Sequence, residues 1–111
     1  MTIAFDIDGC WSLDPQLFSD IASMFADDGH TVIIVTGRDQ PREKLERLGL
    51  FIGTHFEGNH ITLYPIIVSG SRFKEHAALD AGYNVDIWID NEPGTIQPTK
   101  ILDTTSNDDE L

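Results

Sequence analysis

The chain has 111 residues, 41% of them hydrophobic and 23% charged, which suits one packed domain and excludes a disordered chain. Nineteen acidic residues against seven basic ones give a formal charge of −12, setting the surface against long nucleic acids and anionic membranes. No apolar run approaches the ~18 residues of a membrane span, no basic-then-apolar leader opens the chain, and the single cysteine, Cys10, fits a reducing compartment, so a cytoplasmic protein is expected.

In chain order, residues 2–5 read as a short buried strand that runs into Asp6-Ile7-Asp8-Gly9. Two carboxylates at i, i+2 beside a glycine mark a strand end that carries more than a turn. Asp14-Pro15 starts a helix, with Asp as cap and Pro at the first helical position. Leu17, Phe18, Ile21, Ala22 and Phe25 recur at helical spacing, and Asp28-Gly29 closes the helix. The β-branched run 31–35 suits a strand covered on both faces, hence a parallel sheet, and ends in Thr36-Gly37-Arg38. A second helix is expected over 41–48, stopped by Gly49.

Residues 61–64 and 66–68 look like strand broken by Pro65, and Gly58-Asn59 suits a hairpin between 54–57 and 60–63. Ser69-Gly70-Ser71 introduces a third helix over 72–81, closed by Gly82. Residues 85–89 form another strand, ending in Asp90-Asn91-Glu92, and 100–102 suit a last edge strand. The single domain is expected to cover 1–105, with 106–111 an acidic, disordered tail.

This alternation of strand and helix predicts an α/β domain on a mainly parallel sheet. Right-handed crossovers bring three polar strand ends to one edge: Asp6 and Asp8, Thr36-Gly37-Arg38, and Asp90-Asn91-Glu92. Lys74, in the first turn of the third helix, joins them. Two carboxylates about 5 Å apart at an effective dielectric near 20 repel by roughly 3 kcal/mol. Several converging there would take up a proton or a divalent ion, and the ion is the favoured reading. Lys74 and Arg72 also oppose the macrodipole of their helix, which a bound anion would explain.

The chain resembles the haloacid dehalogenase-like superfamily, most of whose members are phosphatases. Four spaced segments within residues 2–95 carry the resemblance: Phe5-Asp6-Ile7-Asp8-Gly9, Val35-Thr36-Gly37-Arg38, Lys74, and Ile89-Asp90-Asn91-Glu92. It implies a three-layer Rossmann-like domain and hydrolysis of a phosphomonoester. Asp6 would be the nucleophile, forming an aspartyl-phosphate, and Asp8 the general acid and then base. Thr36, with Gly37 and Arg38, would bind the substrate's phosphoryl group, and Lys74 would neutralise charge. Asp6, Asp8 through its main-chain carbonyl, and Asp90 would hold Mg²⁺, which prefers a few hard oxygen ligands. Asn91 and Glu92 are further candidates to reach the metal through water.

The segments between these motifs are too short for a cap domain, so the site should be open. The expected partner is a small phosphorylated molecule, nucleotides included, and a homo-oligomer could cover the site. Two alternatives stay open: a nucleotide or polynucleotide 5′- or 3′-phosphatase of the same fold, and a non-catalytic module of that fold. Trp11 is expected to pack rather than stack on a substrate, and Trp88 to lie in the core. His30, His55, His60 and His76 show no metal-ligand spacing and read as surface or loop residues. Arg38 either clamps an anion or pairs with Asp39. Arg42, Lys44 and Arg47 read as the solvated face of the second helix.

Overall fold

The structure, a computed structural model, describes residues 1–39, 41–54 and 60–97. Among the described residues six strands and three α-helices follow one another as β1 (Thr2–Phe5), α1 (Pro15–Asp27), β2 (Thr31–Thr36), α2 (Arg42–Arg47), β3 (Phe51–Thr54), β4 (His60–Thr62), β5 (Ile66–Val68), α3 (Lys74–Asp80) and β6 (Ile87–Ile89). Short 3₁₀ turns occupy Trp11–Leu13 and Pro93–Thr95. Among the described residues, no helix is long and apolar enough to cross a membrane.

Four strands form an all-parallel sheet in the order β5-β2-β1-β6, the expected Rossmann-like arrangement. Alternation along the central strands divides the core between two faces. Ile3 and Phe5 of β1 and Val32 and Ile34 of β2 pack with Ala22 of α1, Leu45 of α2 and Trp11. Ala4, Ile33 and Val35 pack with Ala78 of α3, and Trp88 covers that cluster while only partly buried. Helix residues thus cover both faces of β1 and β2, which is why their sequences are continuously apolar.

The helix boundaries follow local chemistry. Asp14 caps α1, its Oδ1 accepting from the Leu17 amide at 3.2 Å. Phe18, Ile21 and Phe25 pack inward, whereas Leu17, expected on the same face, is exposed. Helix α3 begins at Lys74, two residues later than expected. The Arg72 amide donates to the Ser69 carbonyl at 3.0 Å, and Phe73 is extended. Arg72 therefore lies in a turn ahead of the helix and does not share Lys74's position on it. β6 is two residues shorter than expected because Asp86 turns aside. Its carboxylate accepts from the Thr2 amide at 2.8 Å.

Of the expected hairpin, the antiparallel pairing is seen from β3 to β4, Phe51 opposite Thr62, while residues 55–57 and the Gly58-Asn59 turn lie outside the described residues. Between α2 and β5 this small two-stranded sheet is the only further secondary structure among the described residues. The expected strand 100–102, the tail 106–111 and His55 lie outside the described residues.

Trp11 settles the choice made for it. It is fully buried, edge-on to Phe5 with ring centroids 5.3 Å apart, and its Nε1 donates to the Leu48 carbonyl at 3.1 Å. It ties the loop after β1 to the end of α2 and is out of reach of any substrate. Trp11→Ala should cost about 3–5 kcal/mol in urea denaturation. Trp11→Phe, which keeps a ring but leaves the Leu48 carbonyl without its donor, should cost about 1–3 kcal/mol.

Candidate functional site

The parallel register decides which strand ends meet. Phe5 of β1 is paired with Ile89 of β6, and the Asp6 amide donates to the Ile89 carbonyl at 3.0 Å. Asp6 and Asp90 therefore emerge one step beyond the same rung. On the other side Thr36 pairs with Val68, and the Ser69 amide donates to the Thr36 carbonyl at 2.8 Å. The turn at Ser69–Arg72 then leads into α3, whose first residue is Lys74.

Lys74 is 4% exposed and lies between the two carboxylates. Its Nζ donates to Asp90 Oδ2 at 2.6 Å and sits 3.0 Å from Asp6 Oδ1. Burial works against the ammonium, but hydrogen bonds to Asp90 and Asp6 outweigh it and raise its pKa, so Lys74 is charged. Burial raises the Asp6 carboxyl, and with the nearby Asp90 charge it outweighs the lowering by Lys74. Two carboxylates around one ammonium leave an excess of negative charge in a buried place. The second oxygen of Asp90, Oδ1, accepts from the Glu92 amide at 2.8 Å.

Asp8 points elsewhere. Its Oδ1 accepts from Arg38 Nη1 at 2.7 Å and from Lys44 Nζ at 3.1 Å. Burial alone would raise its carboxyl, but hydrogen bonds from Lys44 and Arg38 outweigh that and hold it below the usual range. Arg38 thus pairs with Asp8 across the cleft rather than with its neighbour Asp39. Lys44 is not a solvated lysine of α2, because it reaches back to Asp8 in the turn after β1. Sequence spacing carries no sign of that contact. Arg42, too, is more than solvated: its guanidinium lies 5.1 Å from the centre of the Phe51 ring.

Among the described residues no three His, Cys, Asp or Glu side chains form a metal-binding group, and the expected metal set likewise draws only two carboxylates, Asp6 and Asp90, with the Asp8 main-chain carbonyl as third donor. A different set of donors converges. The Asn91 side-chain amide lies against Asp6 Oδ2 and the Asp8 main-chain carbonyl, and with its nitrogen turned inward it donates to both at 3.1 Å. Turned the other way, its carbonyl oxygen joins two other oxygens at that spacing. In that orientation Asn91, Asp6 and the Asp8 carbonyl would offer the hard oxygen donors that Mg²⁺ takes. Gly9 makes room for Asn91. Its φ is +73°, and a Cβ there would lie 2.3 Å from Asn91 Nδ2.

Asp6, Asp8, Thr36, Arg38, Ser69 and Lys74 line a cleft of about 460 Å³, whereas Asp90 and Asn91 are outside its lining. Gly37, Arg72, Phe73 and Glu92 line it as well. Thr36 is buried, and its Oγ1 accepts from the Arg38 amide at 3.3 Å. Ser69, which the sequence did not single out, is 4% exposed, and its Oγ donates to the Thr36 carbonyl at 3.4 Å. Cys10 sits behind Asp6 with its thiol donating to the Ile89 carbonyl at 3.5 Å. Burial and the Asp6 charge push that thiol up to about 11, so it stays protonated and is no competing nucleophile. His30 contacts the N-terminal amine and Asp28, and His76 meets the edge of Phe73. Neither enters the cleft lining.

Lys74→Met should remove the one countercharge between Asp6 and Asp90. Breaking a buried pair in this way costs about 3–5 kcal/mol, and urea denaturation would show it. A loss below about 1 kcal/mol would mean that the two carboxylates do not depend on the ammonium. Comparison with known proteins finds no match for the chain among protein-family models, curated proteins or solved structures.

Proposed function

We propose that the chain is a Mg²⁺-dependent phosphatase that cleaves a small phosphomonoester through an aspartyl-phosphate on Asp6. This reading takes the domain as a three-layer, capless member of the haloacid dehalogenase-like superfamily. The observation that carries it is the arrangement around Asp6. One of its oxygens meets the Lys74 ammonium, and the other faces the Asn91 amide, which also meets the Asp8 carbonyl. A carboxylate in a structural ion pair needs only the first of these.

In this reading the phosphoryl group of the substrate lies at the ends of β1 and β2. The Asp6 carboxylate attacks phosphorus, and the bond to the leaving oxygen breaks as Asp8 gives that oxygen a proton. Asp8, now a carboxylate, takes a proton from water. The resulting hydroxide attacks the aspartyl-phosphate, releasing inorganic phosphate and restoring Asp6. The resting Asp8, held ionised by Lys44 and Arg38, is in the form that the second half requires. Its acid form needs some relief from those cations.

Thr36 and the Lys74 ammonium would hold phosphoryl oxygens, and Asp90 would keep Lys74 in place. Asp6, the Asp8 carbonyl and Asn91 would hold Mg²⁺, leaving Asp90 as the lysine's partner rather than a metal ligand. The ion would offset negative charge on Asp6 and the phosphoryl oxygens, letting two anions approach. A cleft of about 460 Å³ suits a sugar phosphate or mononucleotide. The charge of −12 disfavours a polynucleotide.

Hydrolysis of an aryl phosphate should require Mg²⁺, stop on chelation, and be lost in Asp6→Asn with the fold intact by circular dichroism. Turnover that survives in EDTA or in Asp6→Asn would remove this mechanism. Asn91→Ala should weaken Mg²⁺ binding by about tenfold or more in calorimetry. Mg²⁺ and phosphate binding without any turnover would turn the reading to a non-catalytic module.

A further inference from the structure

Asp8 is held by two cations of different standing. Arg38 follows β2, lines the cleft, and has a side chain 44% exposed. Lys44 comes up from α2, is outside the cleft lining, and has a side chain 25% exposed. Its neighbour Leu45 is buried in the core and fixes the helix beneath it. Both donate to the same oxygen, Asp8 Oδ1. One of them can leave without stranding the carboxylate.

Arg38 is the one able to leave. An exposed ion pair is weak, and a phosphate dianion competes for a guanidinium better than a single carboxylate does. We infer that Lys44 is a positioning residue that keeps Asp8 in place while Arg38 exchanges Asp8 for the phosphate of a bound substrate. The inference rests on reading the cleft as a phosphate site. It adds the exchange and gives α2 a part in the reaction. Without Lys44, Asp8 would keep Arg38 as its only cation, and phosphate could recruit Arg38 only by breaking that pair. Arg38 would then be shared between two anions, and binding would weaken.

A double-mutant cycle on the affinity for inorganic phosphate, measured by calorimetry in Mg²⁺, tests the exchange without relying on turnover. Arg38→Met should weaken phosphate binding by about tenfold or more. Lys44→Met should weaken it by about three- to fivefold, and Lys44→Arg should restore it. The doubly substituted protein should bind no more weakly than Arg38→Met alone, because Lys44 acts only through the pair that Arg38 leaves. Additive losses would show that Lys44 attracts phosphate directly and would overturn the inference. So would an unchanged affinity in Lys44→Met, or no phosphate binding by the unaltered chain.

Aryl phosphate hydrolysis by the same proteins separates this inference from the reading beneath it. The expected cycle without hydrolysis sinks the phosphatase and leaves the exchange standing. Hydrolysis with an additive cycle does the reverse. With both intact, Lys44→Met should lower kcat more than it raises KM.

Discussion

Asp6 and Asp90 share one ammonium, and the edge of the sheet is built around that sharing. Each follows the last residue of an apolar parallel strand, and the pairing of Phe5 with Ile89 sets them side by side. Two carboxylates delivered so close, with Asp6 6% exposed, would repel without a cation between them. Lys74 supplies it as the first residue of α3, positioned by the turn at Ser69–Arg72 and the extended Phe73. The triad still carries one negative charge too many. Burial, with the Asp90 charge adding to it, shifts the Asp6 carboxyl upward, and a proton or a metal ion at its other oxygen would relieve both. A hydrophobic pair in this place would pack as well, so the ionic arrangement has little purpose as a stabiliser alone.

The central strands and α1 were legible because their signals are local. β1 and β2 are continuous apolar runs, and Asp14-Pro15 followed by helical spacing needs no tertiary help. The boundaries that slipped were set by side chains acting at a distance. Asp86 shortens β6 by accepting from Thr2, a residue 84 positions away. Ser69 holds Arg72 in a turn that helix propensity alone does not reveal. Lys44 reads as solvated from the sequence because its pattern on α2 is that of an exposed position. Its partner, 36 residues away, is brought over by the crossover from β1 to β2.

The site was legible as a set and not as a wiring. Strand-end aspartates, Thr36 and Lys74 could be assigned to one edge from connection handedness alone. Which carboxylate meets which cation depends on register and side-chain direction. Asp6 and Asp90 leave the same rung and meet Lys74. Asp8, two residues beyond Asp6, is carried past it to Arg38 and Lys44. The same logic places Asn91, not Asp90, against Asp6 Oδ2 and the Asp8 carbonyl, in the space that Gly9 leaves open.

Charge placement connects the site to what it can admit. Of seven basic residues in the chain, Arg38, Lys44 and Lys74 pair with Asp6, Asp8 or Asp90, and Arg72 lines the same cleft. The remaining acidic excess is spread over the rest of the chain. Its field acts at long range on anything large and anionic, whereas the clustered cations act over a few ångströms. A small phosphate ester entering the cleft comes within that short range, while a polyanion must also lie along the acidic surface. Under the proposed reading, an open site therefore gains selectivity for size and charge from the placement of its cations, without a cap to cover it.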